Sequence, residues 1–203
     1  MPNITLSLWG KKTSSEELVI AAQAFLAEKD PKMIPGHLSI FRMRRFPLGH
    51  EKILQLAQST DKTIVNLAIQ ALAHLQHPDI RTLAYQLTEA SPGDSDALYL
   101  LGNNYYPEDY QFIEEIIRHA PEEELHSAAI RTIDIFTNHP TINNLKALTE
   151  IYERVPCAYC RKKAIHLLIE QDIFPIWMME ECLYDSNEDI QKLILTYMQK
   201  DTL

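Results

Sequence analysis

The stretch Cys157-Ala158-Tyr159-Cys160 is the sharpest chemical feature of this sequence. Two thiols three residues apart at the start of a helix share one face. The positive end of that helix, with Arg161, Lys162 and Lys163 beside it, favours thiolates. Such a pair can co-ligate zinc or exchange with a disulfide. Cys182, with Asp185 one turn beyond it, supplies the remaining donors of a candidate ligand set: Cys157, Cys160, Cys182 and Asp185. His166, nine residues after Cys157, falls on the opposite side of the helix at about 100° per residue. A competing reading is simpler. Cys157, Cys160, Ala164, Leu167 and Leu168 lie on one apolar stripe, and Cys182 continues Met178 and Met179. Buried free cysteine is a common small core residue, so the favoured expectation is three packed, unreactive thiols with no metal, cofactor or catalytic residue.

Three other clusters could contact a partner. Phe41-Arg42-Met43-Arg44-Arg45-Phe46 is basic and aromatic, so Arg42, Arg44 and Arg45 could grip phosphates or an acidic peptide while the rings stack. Tyr105, Tyr106 and Tyr110 gather at a helix–helix turn, where tyrosine supplies contact area. Glu114, Glu115, Glu122, Glu123 and Glu124, followed by Glu180 and Glu181, read as solvated acids able to attract a basic surface. No phosphate loop, nucleophile elbow or dinucleotide fingerprint is present.

Composition narrows the class. The 203 residues carry a net charge of -9, a poor footing for non-specific nucleic-acid binding. The charge is uneven: residues 1–90 sum to +2 and residues 91–203 to -11. Three cysteines, an odd count, argue against a secreted disulfide framework. The longest apolar run, Ile173 to Met179, falls far short of the roughly 18 residues that span a bilayer. These signs point to a cytoplasmic protein.

The elements that must position these residues are helices. Leu18, Ala22, Phe25 and Leu26 form one helical stripe behind a Ser14/Glu17 capping box. Ile80, Leu83, Ala84 and Leu87 repeat the stripe, as do Ile190, Leu193, Ile194 and Tyr197. Prolines followed by acids (Pro78-Asp79, Pro107-Glu108, Pro121-Glu122) mark helix starts, where the missing N–H costs nothing. The pattern predicts helices over 15–29, 36–45, 50–59, 62–76, 78–90, 95–104, 107–119, 122–138, 142–154, 157–170, 175–184 and 187–199. Only Ile4-Thr5-Leu6-Ser7-Leu8 alternates with period two, so 1–13 is read as an extended N-terminal arm. The turn Ala90-Ser91-Pro92-Gly93-Asp94 is read as a bend within one domain over 1–203.

Short helices with short connections fold back on one another as helical hairpins. Asp61-Lys62-Thr63-Ile64, echoed by Asn187-Glu188-Asp189-Ile190 126 residues later, resembles HEAT and armadillo repeats, whose period is about 40–47 residues. The resemblance implies an all-α, right-handed α-solenoid of antiparallel helix pairs. Its expected role is non-enzymatic binding of another protein, a basic one on the charge reading. Two alternatives stand beside it: a thiol- or zinc-dependent protein using the cysteines, and a HEAT-like nucleic-acid binder using the arginines.

Overall fold

A computed structural model describes residues 3–200 of the chain. The described residues form thirteen α-helices and no strand. In order they are α1 (Ile4–Lys12), α2 (Ser15–Ala27), α3 (Ile34–Phe41), α4 (Glu51–Leu56), α5 (Lys62–Leu72), α6 (Pro78–Ala90) and α7 (Asp96–Leu101). After them come α8 (Tyr110–His119), α9 (Glu122–Asn138), α10 (Leu145–Arg154), α11 (Ala158–Glu170), α12 (Ile176–Leu183) and α13 (Glu188–Lys200). Single 3₁₀ turns, Pro107–Asp109 and Ile142–Asn144, lead into α8 and α10. The protein is all-α, and α6 and α9 begin and end where the proline and stripe signals set them. No helix among the described residues is long and apolar enough to cross a membrane.

The N-terminal segment is a helix and not an extended arm. Residues 4–12 are helical, and the first two residues of the expected arm lie outside the described residues. The Asn3 carboxamide accepts the Leu6 N–H at 3.2 Å and caps α1. The period-two alternation misled because α1 docks on α3 through small residues, not through a broad apolar stripe. Ser7 is fully buried, and a Cβ on Gly10 would sit 2.0 Å from the Ile40 carbonyl oxygen. Only a residue without a side chain allows the two helices so close.

Where one domain was expected, the chain divides into two compact units, 1–89 with 96–105 and 90–95 with 106–203. The turn 90–94, expected to be a bend within one domain, lies at the division. Each unit closes its own core. In the first, Phe46 packs edge-on against Phe25 and Phe41, with ring centroids 5.7 and 4.7 Å away. Leu38, Ile53, Leu67 and Leu72 are buried in the same unit. There α3 packs on α1 and α5, and α5 on α4 and α7. In the second unit, α8 packs on α10 while α9 packs on α11 and α11 on α13. Ile113, Ile117, Phe136, Leu148, Ile165 and Leu168 are fully buried there. Each such side chain contributes about 1.5–3 kcal/mol by leaving water.

Polar side chains close the helix ends. Lys52 donates to the Phe25, Leu26 and Glu28 carbonyls at 2.8, 3.2 and 2.7 Å, satisfying the open end of α2. Arg154 does the same for α8, donating to Ile117, Arg118 and Ala120 at 2.6, 2.8 and 3.0 Å. Asp172, at φ 55°, ends α11 in a left-handed turn; the Ile173 N–H reaches the Leu168 carbonyl at 3.0 Å and completes a Schellman motif.

Candidate functional site

Cys157 is the N-cap of α11 and Cys160 sits in its first turn, so the two thiols face the same space. The helix packed against α11 there is α9, which carries His126. The His126 Nδ1 lies 3.6 Å from the Cys160 Sγ, and the ligand atoms of His126, Cys157 and Cys160 all fall within 4.8 Å of one another. Cys160 is fully buried, Cys157 is half-buried and His126 is exposed, so the cluster opens to solvent on the imidazole side.

The two thiols differ electrostatically. The Cys160 backbone N–H holds the Cys157 thiol below its ordinary range, helped by the Cys160 side chain, the Tyr159 N–H and the Arg161 guanidinium. Burial pushes Cys160 up to about 12. Cys157 is therefore the more acidic and more accessible sulfur, a departure from the expectation of three packed thiols. It precedes the first helical residue, so the stripe that buries Cys160 does not extend to it.

The remaining members of the sequence-derived ligand set lie elsewhere. Cys182 is fully buried beside Tyr152, and burial raises the pKa of both side chains. Asp185 receives Arg161 Nη2 on both carboxylate oxygens, at 3.1 and 3.2 Å, and accepts the Asn187 N–H at 2.8 Å. Cys182 and Asp185 therefore do not join Cys157 and Cys160 in one cluster. His126 does. The sequence contained no local signal for it, since the contact spans 34 residues.

The partner-contact candidates are largely engaged within the protein. Arg42 donates to the Gln70 carboxamide, Arg44 donates to the Thr13 carbonyl at 2.7 Å, and Arg45 is exposed. Phe41 and Phe46 are core residues and offer no ring for base stacking. Tyr106 is exposed, while Tyr105 and Tyr110 are partly covered. Glu114, expected in solvent, is buried; its position beside Ile113 on α8 turns it inward, where Arg118 pairs with it and Lys146 approaches to 3.6 Å. Glu124 accepts the Ser95 hydroxyl at 3.1 Å. Glu115 pairs with Arg118, whereas Glu122 and Glu123 are exposed in the first turn of α9.

A groove of about 350 Å³ lies where α8, α10 and the start of α12 meet, lined by Glu114, Arg118, Lys146, Glu150, Pro175 and Trp177 among others. Trp177 is exposed in that lining, and Ile176, its neighbour in the chain, is exposed as well. The chain matches no protein-family model, no curated protein and no solved structure.

Proposed function

We propose that the chain is a HEAT-like module of stacked antiparallel helix pairs that binds another protein, one presenting basic side chains, along the groove of the second unit. The single observation that carries this reading is the groove itself. Exposed Trp177 stands beside a shelf of charged residues on α8 and α10. Aromatic anchors within a polar rim are what protein interfaces use.

Three features support the repeat part of the reading. The packing of α9 on α11 and of α11 on α13, beside that of α8 on α10, has the alternation of a two-layer stack. Asp61 caps α5 by accepting the Thr63 and Ile64 N–H groups, and Asn187 caps α13 by accepting those of Asp189 and Ile190. Lys52 and Arg154 close the ends of α2 and α8 by the same device. The charge of -11 over residues 91–203 supports a basic partner, because a field of one sign steers the opposite charge toward it.

The test is photo-crosslinking from position 146, an exposed residue of the groove lining, in the native host, followed by binding measurements with the partner so identified. The expected result is a basic protein whose affinity falls about ten-fold or more with Trp177→Ala. Its association should also slow as the Debye length shrinks from about 30 Å at 0.01 M salt to about 10 Å at 0.1 M. A partner whose affinity ignores both Trp177→Ala and salt would overturn the reading.

A further inference from the structure

We infer that His126, Cys157 and Cys160 form a zinc site with one coordination position open to solvent. The geometry carries it. Zinc holds thiolate sulfur at about 2.3 Å and imidazole nitrogen at about 2.0–2.1 Å, so two such ligands on a tetrahedron stand roughly 3.6 Å apart. The His126 Nδ1 and Cys160 Sγ are 3.6 Å apart. With the whole set inside 4.8 Å, side-chain rotation of about an ångström or less closes the third ligand onto the ion.

Chemistry selects the metal class. Two sulfurs and one imidazole suit zinc, and oxygen-preferring calcium or magnesium would find no ligand to their liking here. Binding replaces the two thiol protons, which leave to solvent, so the ion with its two thiolates and neutral imidazole carries no net charge. Cys157 stands at the N-terminus of α11, whose positive end favours its thiolate. Because His126 is exposed, the fourth position meets solvent and takes water or a donor from a bound partner.

The other constellation of this kind, His50, His77 and Asp79, is weaker. The His77 Nδ1 already accepts the Asp79 N–H at 3.2 Å and caps α6, so its lone pair is committed.

The experiment uses the full chain, stripped of metal by a chelator under reducing conditions and titrated with cobalt(II), then with zinc. The expected result is one equivalent of cobalt, giving a sulfur-to-metal charge-transfer band and tetrahedral d–d bands that zinc abolishes. His126→Ala, at an exposed position, and Cys157→Ser, at a half-buried one, leave the helical circular dichroism intact. Each weakens binding by more than the roughly 10–100-fold that loss of an outer-shell partner costs. His166→Ala, an exposed histidine on the same α11, leaves binding unchanged. Three results would overturn the site: no stoichiometric metal on the folded chain, an equal loss with His166→Ala, or a Cys157–Cys160 disulfide that forms in the presence of zinc with no metal retained.

Discussion

His126 Nδ1 and Cys160 Sγ face each other at 3.6 Å although 34 residues separate them along the chain. The packing of α9 against α11 creates the pair, and the N-cap position of Cys157 adds the third donor. The same arrangement makes the three cysteines chemically unequal. In the metal-free chain, iodoacetamide should modify Cys157 first, with Cys160 and Cys182 following only as the protein unfolds. Thiolate character and access together set that order. Peptide mapping by mass spectrometry over time checks it; equal rates for all three would contradict the burial of Cys160 and Cys182.

Asn104 ties two turns of the first unit together. It is buried, its oxygen accepts the His77 N–H at 2.8 Å, and its nitrogen donates to the Leu75 and Leu100 carbonyls at 2.9 and 2.8 Å. Asn104→Ala leaves those three backbone groups short of partners. The expected loss is about 2–4 kcal/mol in urea unfolding. A change below about 0.5 kcal/mol, the range of ordinary surface substitutions, would show that the clamp does not form.

Glu17 makes acid sensitivity local to the start of α2. Hydrogen bonds from the Thr13 hydroxyl and from the Ser14 N–H and hydroxyl hold its carboxyl below the ordinary 4.5. The folded pKa is depressed, so the stabilisation is fully present above about 4.5 and is lost as pH falls through the folded value. The stability difference between the protein and its Glu17→Gln variant should therefore shrink on acidification through that window. A difference that stays constant from neutral pH to pH about 3 would contradict the capping box.

Asp172 occupies a left-handed backbone position at φ 55°. A left-handed residue with a side chain costs about 1–2 kcal/mol, somewhat less for Asp, and glycine removes the cost. Asp172→Gly should raise stability by about 0.5–1 kcal/mol, whereas Asp172→Val should lower it. Thermal melts of the two variants give the sign directly.

The sequence determined the helices by itself, because stripes, caps and prolines act within a turn or two. Ser14 with Glu17, Pro78 with Asp79 and Pro121 with Glu122 each satisfy or remove backbone groups next to themselves, so their positions read directly as helix starts. The exception was α1, whose buried face is made of Ser7 and Gly10; a contact built from the absence of side chains leaves no hydrophobic period to read. Tertiary packing decided what the side chains do. It buried Glu114 and brought Lys146 of α10 to it, whereas Arg118 is its i, i+4 neighbour on α8, and it turned Phe41 and Phe46 from apparent stacking rings into core. It also separated Cys182 and Asp185 from the thiol pair and supplied His126 in their place. Each of these outcomes depends on which helix lies against which, a relation set by long-range apolar burial, and no local spacing encodes the partner a side chain meets across that interface.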